Sequence, residues 1–143
     1  MKTMKKWFVL MILTVTLAIC VSGCSTLTKK SFANNEAVQY TLYIGLNDKD
    51  TYQQKIPTGE AEKKVNAIAL KYVDGFTEFS GKGVYKDDKG VVTYENNLIY
   101  IFNSATDEQM KSIMGEVLKE LDQNAVLIEK QKVGYEFYGG KNS

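Results

Sequence analysis

The chain has 143 residues, carries 18 basic side chains (all lysine) against 17 acidic ones, and contains no histidine or arginine. With two cysteines besides, it offers no Ser-His-Asp triad, Cys-His dyad, histidine-based metal site or bidentate arginine clamp. The near-balanced charge argues against a nucleic-acid partner, and the length suits one domain.

Residues 1–23 read as an export signal. Lys2, Lys5 and Lys6 make a basic start, Trp7 to Val21 is an apolar run broken only by Thr14 and Thr16, and Ser22 and Gly23 are small. A permanent transmembrane helix is the alternative. Its run would reach only about 22 Å at about 1.5 Å per residue, short of a hydrocarbon core of roughly 30 Å.

Val21-Ser22-Gly23-Cys24 resembles the lipobox of bacterial lipoproteins, an aliphatic residue and two small ones before a cysteine. The resemblance implies that the Cys24 sulfur takes a diacylglyceryl group and that cleavage leaves Cys24 as the N-terminus, anchored by acyl chains such as palmitate. Two or more chains give stable anchoring where one binds marginally. Cys20 departs with the signal, so no internal disulfide is expected. Three lysines precede Cys24 and all acids follow it, so the mature part would carry a net charge of −2.

Residues 24–38 are polar and without periodicity, and are expected to form a flexible tether. Lys29 and Lys30 fit either anionic headgroups, at about 1 kcal/mol each, or plain solvent.

The folded domain is expected over 39–138, with a mobile tail at 139–143. QYTLYIGL (39–46) alternates as a strand, with Tyr40, Leu42, Ile44 and Leu46 on one face and Tyr43 on the other. The loop Asn47-Asp48-Lys49-Asp50 spaces its oxygens suggestively for calcium. The twelve-residue EF pattern nonetheless fails, with Gln53 at the glycine position and Gly59 at the final glutamate, so a solvated turn is expected.

A helix follows at Glu60–Val73, with Ala61, Val65, Ile68 and Tyr72 on one face and Gly75 as its stop. FTEFSGKGVYK (76–86) and VVTYENNLIYIFN (91–103) read as strands. Gly81 and Gly83 suggest a bulge, as does Asn96-Asn97, and Gly90 supplies the hairpin turn after Asp87-Asp88. Thr106 and Gln109 form a capping box for a second helix at Asp107–Gln123, striped by Met110, Ile113, Met114, Val117, Leu118 and Leu121. AVLIEKQKVGYEFY (125–138) is one long strand or two short ones.

The order β-α-β-β-α-β with right-handed crossovers predicts an α+β, ferredoxin-like sandwich, a four-stranded antiparallel sheet with both helices on one face. The stretch from Tyr40 to Tyr138 also resembles an uncharacterised family of small bacterial exported and lipoprotein domains of unknown function. The residues that carry it are YTLYIGL, Gly75-Phe76-Thr77, Gly83-x-Tyr85, Asp88-x-Gly90, Glu95 and NAVLIEK. That resemblance supports the fold and the exported location.

Two places carry chemistry. Glu95 lies inside a strand, where a carboxylate needs a partner. It is either a ligand-contacting group or general base beside Tyr85 or Tyr94, or a solvent-reaching carboxylate paired with a lysine such as Lys82. The second place is the sheet face that the helices leave open. LIYIF is apolar on both parities, so Tyr43, Tyr94, Tyr100 and Phe102 are candidates for an aromatic ligand or partner surface.

The expected function is a non-enzymatic, membrane-anchored lipoprotein on the extracytoplasmic side. Its open sheet face would serve a small ligand, an envelope partner or a homodimer. A small ferredoxin-like enzyme using Glu95 and a tyrosine, and a structural envelope lipoprotein, are the alternatives. No metal and no cofactor is expected.

Overall fold

The computed structural model describes residues 33–86 and 89–139. The lipobox with Cys24, Lys29 and Lys30, and the turn pair Asp87-Asp88 lie outside the described residues.

The elements run β1 (Asn35–Gly45), α1 (Thr58–Ala69), β2 (Thr77–Lys86), β3 (Val92–Asn103), α2 (Asp107–Glu120) and β4 (Leu127–Tyr135). The sheet order is β2-β3-β1-β4 with every neighbour antiparallel, so the two crossovers are carried by the helices. This is the expected ferredoxin-like arrangement. Among the described residues no helix is long and apolar enough to cross a membrane.

Each element forms for a local reason. α2 starts at a complete capping box, in which the Gln109 N–H donates to Thr106 Oγ1 (3.2 Å) and the Thr106 N–H to Gln109 Oε1 (2.8 Å). Asp107 and Glu108 in its first turn complement the helix dipole. Gly90, at φ 82°, takes the left-handed turn between β2 and β3.

Two boundaries and the expected bulges differ most from expectation. β1 begins at Asn35, inside the stretch expected as tether, because Asn35–Val38 pair with Lys132–Tyr135 of a single long β4. α1 ends at Ala69 rather than Val73. The Tyr72 and Val73 N–H groups both turn back onto the Ala69 carbonyl, at 3.0 and 3.1 Å, and carry the Tyr72 hydroxyl to Glu116 on α2. No bulge interrupts β2 or β3, whose register is continuous from Lys86↔Val92 to Thr77↔Ile101.

The core lies between the sheet and the helices. Tyr40, Leu42 and Ile44 of β1 and Leu98, Tyr100 and Phe102 of β3 meet Ala61, Val65 and Ile68 of α1 and Met110, Ile113 and Val117 of α2. Phe76 packs on Tyr100 and Phe102 with ring centroids 5.2 and 5.7 Å away. Lys64–Glu120 (2.6 Å) and Lys71–Glu116 ion pairs join the helices on their solvent side.

Candidate functional site

Strand parity divides the sheet residues between two faces. On the helix side the register stacks Phe102, Tyr40 and Lys130, then Tyr100, Leu42 and Ile128. On the open side it aligns Phe79, Ile99, Tyr43 and Leu127 into one row crossing all four strands. At about 4.8 Å between strands, that row is about 14 Å long. Leu127 is 61% exposed and Phe79 48%, while Ile99 and Tyr43 are half-buried. The Tyr43 hydroxyl donates to Glu129 Oε2 at 3.2 Å.

One row along lies a floor without side chains, made by Gly81 and Gly45 on either side of Asn97, with Gly83 beside Glu95. A Cβ at Gly45 would stand 2.7 Å from Glu95 Oε2, and one at Gly81 would stand 2.8 Å from Asn97 Oδ1. The glycines leave room for cross-strand neighbours: Glu95 lies down over β1, and Asn97 over β2. The bulge expected at Gly81 and Gly83 is replaced by this close approach. Asn97 Oδ1 is buried with no hydrogen-bond partner among the described residues.

Glu95 is half-buried there, and burial pushes its carboxyl above the usual carboxylate range; the Asn47 backbone N–H pulls the other way. Among the described residues no lysine contributes. Lys82, considered as its partner from sequence, pairs with Asn96 and takes a helix-side position.

The sequence-named residues thus separate. Glu95, Tyr85 and Tyr43 share the open face. Tyr94 pairs with Val84 on the opposite parity and is 71% exposed at the hairpin end, so it stands away from Glu95. Tyr100 and Phe102 are not surface residues. Both are 0% exposed in the core, and the Tyr100 hydroxyl donates to Asn66 Oδ1 on α1 at 2.7 Å. LIYIF is apolar on both faces, so periodicity alone does not choose between them; Ile99 and Ile101 take the open face instead. The row partners Phe79 and Leu127 were missed from sequence, although both precede or follow open-face residues by two.

Asp48 differs most from its expected solvated turn. It is 3% exposed and accepts from the Asp50 and Thr51 N–H groups (both 3.0 Å), the Thr51 hydroxyl and Lys55 Nζ (2.8 Å). Lys55 and Thr51 hold its carboxyl well below the usual range. Asp48, Asp50 and Asp122 place carboxylate oxygens within 4.8 Å of one another. Lys49 bridges Asp50 and Asp122 at 3.0 and 3.2 Å, so lysines already answer this cluster.

A further acidic pair sits on the helix side, where Glu62 of α1 faces Glu78 of β2 at a cavity of about 240 Å³ also lined by Ser80 and Leu98. Glu78 raises the Glu62 carboxyl by hydrogen bonding and like charge, as two carboxylates sharing a site must.

No family model and no curated protein matches the chain. Solved structures do resemble it. A phage SAM lyase in complex with S-methyl-5'-thioadenosine is 16% identical over 76% of this chain and 98% of its own, with a TM-score of 0.52. The apo state of a phage SAM lyase, also 16% identical, covers 72% and 93% with a TM-score of 0.49. CutA from Synechococcus elongatus, at 12% identity, covers 72% and 80% with a TM-score of 0.42. At these identities the likeness is one of fold.

Proposed function

We propose that this chain is an extracytoplasmic bacterial lipoprotein, fastened to lipid through Cys24, whose open sheet face is a binding surface. The observation that carries the binding half is the row Phe79–Ile99–Tyr43–Leu127, apolar or aromatic at all four strands and left uncovered by either helix. A sheet that only completes a core has no need of an apolar outer row, and such a surface is the usual mark of a binding site. The anchoring half rests on the order of basic start, short apolar run and lipobox-like tetrapeptide.

Each half has its own test. Intact-mass measurement on bacterial membranes is expected to find a species beginning at Cys24 and bearing fatty acid. A species retaining Met1, or one trimmed but without fatty acid, overturns the anchoring. For the face, 1-hexanol titrated onto the full chain in a non-ionic detergent is expected to give saturable amide shifts at Tyr43, Phe79 and Ile99. Ile99→Lys is expected to remove them. Shifts that never saturate, or that survive Ile99→Lys, overturn the binding surface.

A further inference from the structure

The charges of the sheet are sorted by face. All four lysines in the strands, Lys82 and Lys86 of β2 and Lys130 and Lys132 of β4, take helix-side positions opposite Asn96, Val92, Tyr40 and Val38. The open-face positions of the four strands hold two carboxylates, Glu95 and Glu129, and no basic side chain. Several acids elsewhere are answered, as Lys130 reaches Asp107 at 2.7 Å, Lys64 reaches Glu120 and Lys55 reaches Asp48, whereas the helix-side pair Glu62 and Glu78 has no ion pair among the described residues. Glu95 is the half-buried acid of the open face and has no ion pair among the described residues; it lies flat over Gly45, one row of about 7 Å from Tyr43.

From this complementarity, and resting on the binding reading above, we infer that the open face takes a small organic cation: an ammonium group on an apolar stem, its head against the Glu95 carboxylate over Gly45 and its stem along Ile99 and Tyr43. The aromatic row favours such a head as well as its stem, since a cation is drawn to the face of a tyrosine or phenylalanine ring. Glu95 loses its desolvation penalty once a positive charge stands beside it. A second copy of the chain fits worse. Face to face, it would bring Glu95 and Glu129 of both copies into one interface with no lysine to meet them.

The test compares probes with one stem and different heads on the full chain in a non-ionic detergent: hexyltrimethylammonium, 1-hexanol and hexanesulfonate. Amide shifts at Tyr43, Gly45, Phe79 and Ile99 give each dissociation constant. The ammonium is expected to bind about tenfold tighter than hexanol, and the sulfonate more weakly than hexanol. Glu95→Gln is expected to reduce the ammonium preference to within about twofold while leaving hexanol binding in place, whereas Glu108→Gln on α2 changes neither. Two results overturn the inference: equal binding of all three probes, or an ammonium preference that survives Glu95→Gln. The first of these leaves the binding surface standing, whereas loss of hexanol binding itself strikes that earlier reading.

Discussion

Replacing neighbours in β3 separates the two sheet faces by their energies. Tyr100 is fully buried between Phe76 and Phe102 and donates to Asn66 Oδ1 at 2.7 Å. Tyr100→Ala removes the whole ring from a packed site, a change that costs about 3–5 kcal/mol. Tyr100→Phe keeps the ring and deletes one hydrogen bond, at about 1 kcal/mol. The difference, about 3 kcal/mol, belongs to the ring. Ile99→Lys, one residue away, puts a lysine on the half-buried open face, where its methylene stem covers part of the lost contact and its ammonium reaches water, so about 1 kcal/mol or less is expected. Against a total of about 5–15 kcal/mol for a domain, the first change is severe and the third slight. Urea denaturation followed by far-ultraviolet circular dichroism reads all three, with unchanged m-values licensing the comparison. A loss for Ile99→Lys equal to or above that for Tyr100→Ala would refute the face assignment, and with it the row on which the binding surface stands.

Three further outcomes follow from named contacts. Gly45→Ala places a methyl group 2.7 Å from Glu95 Oε2, a mobile side-chain end, so the fold is expected to survive while the carboxylate swings towards solvent. The Glu95 carboxyl, followed by carbon-detected NMR titration, should then move down towards the ordinary glutamate value, and an unchanged titration would count against the close approach. Two acidic sites respond to pH with opposite signs. Glu62 is raised by Glu78, so its ionisation opposes folding, and its stabilising share is present below the unfolded value of about 4.3 and lost as pH rises. Glu78→Gln is therefore expected to raise the denaturation midpoint at pH 7 and to leave it unchanged below about pH 4. Asp48 is lowered, so its share is present above about pH 3.9 and lost on acidification; Asp48→Asn is expected to lower the midpoint at pH 7, with the deficit shrinking below that pH.

Much of the fold was legible because its signals are local. The alternation Tyr40-Leu42-Ile44, the Thr106–Gln109 capping box and the hairpin glycine at Gly90 each encode their element within a few residues. What was not legible depends on partners distant in sequence. Asn35–Val38 look like tether until β4 supplies the ladder they complete. Asn47-Asp48-Lys49-Asp50 reads as solvated because its four residues are polar, yet Lys55 and the Thr51 turn close over Asp48 and bury it. Gly81 and Gly83 read as a bulge because a glycine in a strand weakens it, whereas here Asn97 and Glu95 reach across from β3 into the space the missing side chains leave. Tyr100 and Phe102 carry no local mark that distinguishes them from Ile99 and Ile101. The side that Tyr100 and Phe102 take is set by the helices that pack on it, where Val65, Ile68, Met110 and Ile113 bury them and Asn66 accepts from the Tyr100 hydroxyl.

The same two-residue period that hides this choice also sorts the charges of a chain that has no histidine or arginine. A strand cannot hold a lysine and keep it neutral to both faces; it must be assigned to one. Placing all four strand lysines on the helix side lets Lys130 cover the Tyr40 ring and pair with Asp107, where it knits β4 to α2. The cost falls on the other side of the sheet. Glu95 is on the opposite face from all four strand lysines, which share the parity of the buried Leu42, Ile44 and Leu98. Any cation that answers it must therefore come from outside these strands.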